Sequence, residues 1–154
     1  MRNDIFEMHT KYGVRKWMLQ KAEEKDWETL LKFLRFRFEF IQEELNETKS
    51  AVDNSQPEEV VDGLIDILVV GIGTLDAFGV DIDEAWTRVH KANMAKEVGV
   101  KESRPNPLGL PDLIKPDGWK SPNHRGNVGF IGPTVKPDNG CNCYSCYMRR
   151  GYNV

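Results

Sequence analysis

The sequence predicts an all-α fold followed by a long irregular extension, and three observations carry that reading. Apolar residues recur at steps of three and four through most of the chain before Gly99. Gly and Pro punctuate those stretches at their ends more than they interrupt them. After Gly99 the composition changes, with seven of the eight prolines falling there and no sustained periodicity. A chain of 154 residues with 40% hydrophobic content supports one sizeable core. The expected organisation is a helical bundle over residues 1–100 and, over 101–154, an irregular extension that packs on the bundle or on a neighbouring subunit.

Each element has its own signal. Asp4 to Thr10 predicts a short helical segment, and Val14 to Lys25 a second helix. From Asp26 to about Ala51 the chain lacks Gly and Pro and places apolar residues at Trp27, Leu30, Leu31, Leu34, Phe38, Ile41 and Leu45, the pattern of an amphipathic helix. Phe33, Phe36 and Phe40 widen that surface, which predicts neighbours on more than one side or a subunit interface. The polar run VDNSQP ends the helix, and Ser55 with Glu58 has capping-box spacing around Pro57. The helix that follows, to Gly79, is apolar almost all round and is expected at the centre of the bundle. Asp81 and Glu84 repeat the capping spacing before a last helix that Gly99 should stop.

Global properties exclude several classes. A net charge of -3 and a pI near 5.7 give no basic footprint for a nucleic-acid polymer. The amino terminus has no apolar run behind a basic start, and the most apolar window, Leu64 to Phe78, is 15 residues long and contains Asp66 and Asp76. No membrane partner is expected, since a span needs roughly 20 residues. Three cysteines, Cys141, Cys143 and Cys146, make no disulfide framework, so a reducing cytoplasm is the expected location. Their C-x-C-x-x-C spacing would give a tetrahedral zinc site with a fourth ligand such as His124; reduced thiols are the plainer alternative.

The informative chemistry is acidic. Glu44 and Glu47 lie i, i+3 on one helix, and Asp62 and Asp66 lie i, i+4 on the next. A short connection forces the two helices antiparallel, so the four carboxylates are expected together at one rim, with Glu43 and Glu59 close by. An oxygen-only cluster suits Mg²⁺ or Mn²⁺, which share their shell with water and substrate phosphates. The plainer reading makes the first-turn acids helix-dipole partners and the glutamates a solvated face; Asp66, deep in an apolar helix, is what that reading does not cover. A di-iron bundle needs Glu-x-x-His pairs, which the sequence lacks. His90, Lys91, Asn93 and Lys96, with Lys115, Lys120 and Arg125 from the following loop, are cations and amides of the kind that match a polyphosphate; a lysine-rich helix end complementing the dipole is the plainer reading. Trp17, Phe36 and Trp86 are candidate neighbours for a base, or core residues.

Taken together, EELNE, EEVVDGLIDIL, DAFGVDIDEAWTRVHKANMAKE and KPDGWKSPN resemble the MazG-like all-α nucleoside triphosphate pyrophosphohydrolases, particularly their short phage-type branch. The resemblance covers roughly residues 5–124. It implies a four-helix-type bundle as catalytic domain, assembled as a homodimer or homotetramer, that hydrolyses a nucleoside triphosphate to monophosphate and pyrophosphate. It implies Glu44, Glu47 and Asp66 as ligands of two or more Mg²⁺ ions, Glu43 as the residue orienting or deprotonating water, and Asn93 and Lys96, with Lys91 and Lys120, as phosphate contacts. The usual second motif, Glu-x-x-Asp, is broken by Gly63, so Asp62 is expected to supply the missing carboxylate; Glu59 with Asp62 also fits the motif in form. Phage relatives point to a purine deoxynucleotide, dGTP first, and to a host cytoplasm. A catalytically degenerate nucleotide-binding or protein-interaction module is the alternative.

Overall fold

The computed structural model describes residues 2–103 and 106–136. Among them the chain is mostly helical, with α1 over Arg2–Lys11, α2 over Val14–Glu23, α3 over Trp27–Asp53, α4 over Pro57–Ala77, α5 over Ile82–Met94 and α6 over Ile131–Val135. A two-stranded antiparallel ladder, β1 over Glu97–Gly99 and β2 over Asp112–Ile114, pairs Val98 with Leu113. The stretch after Gly99 is therefore not wholly irregular. Nor does Gly99 stop a helix: α5 ends at Met94, and Gly99 faces Asp112 across the ladder. Cys141, Cys143 and Cys146 lie outside the described residues.

Two compact units divide the described residues along a different line from the change of composition. One draws on Met1–Ile82 and Val128–Val154, the other is Asp83–Asn127. In the first, the core joins Met18 and Ala22 of α2, Leu30 and Leu34 of α3, Ala77 and Phe78 at the end of α4, and Phe130. Phe130 is buried in this core, and its N–H donates to the Phe78 carbonyl at 2.7 Å. Gly129 precedes it with φ 51°, where an added Cβ would stand 2.0 Å from that same carbonyl oxygen, so only glycine permits the approach. Trp17 meets Phe33 edge-on at 5.3 Å, which makes it a core ring.

The long hairpin of α3 and α4 positions the acids. Asp26 caps α3 by accepting from the Thr29 N–H at 3.1 Å. Three residues, 54–56, connect the two helices, so they run antiparallel. The Ser55 capping box does not form: Ser55 takes φ 56° in the turn, and Gln56 stands at the N-cap without a side-chain hydrogen bond. Farther along, Arg37 clips the hairpin, donating from Nε to Thr74 Oγ1 and from Nη2 to the Val70 carbonyl, both at 3.1 Å. Burial lowers its proton affinity, yet a guanidinium remains charged.

Helix α4 does not lie at the centre of the single chain. It buries Gly63, Val70, Gly73, Thr74, Asp76 and Ala77. Val61, Leu64, Ile65 and Leu68 form an exposed stripe, and Phe36 and Phe38 on α3 are exposed as well. In the second unit, the Trp119 indole N–H donates to the Ala92 carbonyl at 2.8 Å, and Arg88 pairs with Glu84 while donating to the Asn123 carbonyl at 2.6 Å. These contacts tie the stretch 119–123 to α5.

Candidate functional site

Glu44 and Glu47 from α3 and Glu59, Asp62 and Asp66 from α4 line one pocket of about 270 Å³ beside the turn of the hairpin. Thr48, Ser50, Ala51, Gln56 and Gly63 complete its wall. Five carboxylates and no Lys or Arg line this pocket. Partial burial, and then the charges of Asp66, Glu47, Glu43 and Asp62, raise the Glu44 carboxyl above the usual range. Glu43 itself is exposed and does not line the pocket. Among the described residues, no three carboxylates converge closely enough to enclose a cation with the side chains as they stand. The pocket offers volume and oxygen donors rather than a closed cage.

Gly63 stands where α3 and α4 approach closely in the pocket wall. A Cβ there would lie 2.2 Å from Thr48 Oγ1 and 3.3 Å from Thr48 Cβ, so the facing helix occupies the space a glutamate would need. Thr48 is held by donating to the Glu44 carbonyl at 2.7 Å. Asp62, one position before Gly63, lines the pocket.

The burial premise for Asp66 requires correction. Asp66 is only half buried and Asp62 is exposed. The buried carboxylate of α4 is Asp76, 3% exposed. It accepts from His9 Nδ1 at 2.8 Å and from Arg15 Nη1 at 3.0 and 3.1 Å, and it thereby fastens α1 and α2 to α4. Gly73 makes room, since a Cβ there would stand 3.1 Å from Arg37 Nη2 and 3.2 Å from His9 Nε2. Sequence reasoning missed this group because His9 and Arg15 lie more than sixty positions away.

The remaining residues fall elsewhere. Lys91 and Lys120 line a pocket of the second unit; Lys96 donates to Asn93 Oδ1 at 2.9 Å. Phe36 packs against Phe40 with the rings tilted and their centres 4.4 Å apart, and Trp86 is 71% exposed; neither lines the acidic pocket. No described helix is by itself long and apolar enough to cross a membrane.

The family described as phosphoribosyl-ATP pyrophosphohydrolase matches residues 14–93, a span containing all five pocket carboxylates and ending within α5. No curated protein matches the chain.

Proposed function

The chain belongs to the phosphoribosyl-ATP pyrophosphohydrolase family, within the MazG-like all-α superfamily, and on that premise we propose that its acidic pocket converts a nucleoside triphosphate to the monophosphate and pyrophosphate. Membership makes it an enzyme, a pyrophosphohydrolase of nucleoside triphosphate-like substrates. The observation that carries the site assignment is the five-carboxylate pocket with its protonation-prone Glu44.

Family members typically depend on a divalent metal, and an all-oxygen donor set fits Mg²⁺ or Mn²⁺. Glu44, Glu47, Asp62 and Asp66 are the residues proposed to hold two or more such ions. When bound, the metal supplies positive charge to phosphate oxygens and makes a nearby water more acidic. The protein's own side chains account for orientation. Glu43, one position before Glu44 on the solvent side of α3, is proposed to accept the proton of the attacking water. Lys91, Asn93, Lys96 and Lys120 are proposed phosphate contacts. Displacement of pyrophosphate by water needs no covalent nucleophile, because positioning and charge compensation carry phosphoryl transfer.

Three finer readings complete the proposal. A purine deoxynucleotide, dGTP first, together with a phage-type origin and host-cytoplasm location, rests on the resemblance. Assembly as a homodimer or homotetramer is supported by the exposed apolar stripe of α4, which a second copy would cover. The test is a panel of eight common nucleoside triphosphates plus phosphoribosyl-ATP, incubated with Mg²⁺ and resolved into products. Pyrophosphate with monophosphate from at least one is expected, with dGTP turned over fastest. Orthophosphate with diphosphate, or no turnover of any of the nine, refutes the reading.

A further inference from the structure

We propose that the open edge of β1 pairs with β1 of a second copy, antiparallel about a two-fold axis at Gly99, and so joins dimers made through α4 into a tetramer. The inference rests on the assembly reading of the α4 stripe and adds a separate surface to it.

The ladder has two strands, so among the described residues no strand pairs with the far edge of β1. An unpaired edge is a template for another chain, and a two-stranded ribbon is marginal without further strands or cover. By the alternation of a strand, Val98 and Val100 share one face, at 71% and 76% exposure. Leu113, the register partner of Val98, is exposed beside them. Ile114 covers the other face: a Cβ on Gly99 would stand 2.7 Å from its Cδ1.

Charge identifies the occupant. Glu97 and Lys101 are exposed and, among the described residues, neither makes an ion pair or side-chain hydrogen bond. Charges at a strand edge ordinarily keep strands apart. These two have opposite signs and stand equidistant from Gly99, so the segment EVGVK complements its own reverse. With the axis at Gly99, Glu97 meets Lys101 of the second copy and Val98 meets Val100, and two-fold symmetry makes each contact twice. Glycine at the axis leaves no side chain between the two backbones, where strand glycines permit close approach. A slip of one position would set Glu97 against Val100 and turn the second copy's valines to the opposite face. So short a segment does not hold two free chains together; the contact acts on copies that α4 already joins, where two ribbons engage at once.

Light scattering of the full chain tests the contact through charge reversal. The wild type is expected at the mass of a tetramer, and Glu97→Lys and Lys101→Glu each at half that mass. Mixing the two variants restores opposite charges at both contacts and is expected to restore the tetramer, as is the double reversal in one chain. A wild type no larger than a dimer, or a mass that neither reversal changes, overturns the proposal. A mixture that stays at the lower mass gives the edge to some other occupant and overturns it as well. If the reversals split the assembly while Leu64→Glu/Leu68→Glu leaves the mass unchanged, the α4 reading fails and the β1 contact stands.

Discussion

Replacing Gly63 with alanine sets two effects of opposite sign against each other, and their magnitudes decide the outcome. Alanine in place of glycine inside a helix stabilises by about 1 kcal/mol through backbone entropy. The new Cβ, however, would lie 2.2 Å from Thr48 Oγ1 and 3.6 Å from Thr48 Cα, so the helices must separate or Thr48 must rotate away from its 2.7 Å bond to Glu44. Overpacking of this kind costs about 1–3 kcal/mol, and a hydroxyl one bond from a β-branched carbon places it at the upper end. The net is a loss of about 2 kcal/mol, which in a chain of this size lowers Tm by about 4–8 °C. Thermal unfolding monitored by circular dichroism measures it. Thr48→Ala should change little alone, since its hydroxyl bonds a carbonyl of its own helix, and should restore most of the Tm in the double variant. A Gly63→Ala protein as stable as wild type or more so would refute the close approach of the two helices at Gly63.

Other outcomes follow from the same geometry. Asp76→Ala leaves His9 and Arg15 buried without their carboxylate, and denaturant titration should show a loss of about 3–5 kcal/mol. Phe130→Ala empties a fully buried site and should lose a similar amount, about 3–5 kcal/mol, by the same measurement. Because partial burial, and then the neighbouring carboxylates, raise the Glu44 carboxyl in the folded state, folding disfavours the ionised form. The wild type should therefore lose stability relative to Glu44→Gln as pH rises through the window from the ordinary glutamate value, about 4.3, upward, in metal-free buffer. A stability difference that stays flat with pH would count against that charge accumulation. Leu64→Glu with Leu68→Glu places two charges on the exposed α4 stripe and should shift the mass measured by light scattering to that of a monomer.

The helices were legible because their apolar spacing is long and regular: α3 and α4 come within a few residues of the spans expected from Trp27, Leu30, Leu34 and the break at Pro57. The carboxylate pocket was legible for a related reason. A connection too short for anything but an antiparallel hairpin places residues equidistant from the turn on adjacent stretches of the two helices, so Glu44, Glu47, Asp62 and Asp66 line one pocket. Interactions remote along the chain were not legible. The partners of Asp76 are set by how α1 and α2 dock, which no local pattern encodes, so the apolar window gave no reason to prefer Asp76 over Asp66 as the buried acid. Phe130 lay in a Pro- and Gly-rich stretch whose composition hid a core residue, and the Gly99 ladder arises from a pairing thirteen or more positions away. The outward stripe of α4 could not be separated from a buried one, because a helix that is apolar almost all round does not record which of its faces the neighbouring helices cover.

The central claim is that the hairpin carboxylates hold a divalent ion, and calorimetric titration of Mn²⁺ into the metal-stripped full chain tests it most directly. Saturable binding is expected in the wild type, weakened about tenfold or more in Glu44→Gln and in Asp66→Asn and preserved in Lys120→Ala. Isotherms that are identical in the wild type and both carboxylate variants would contradict the account.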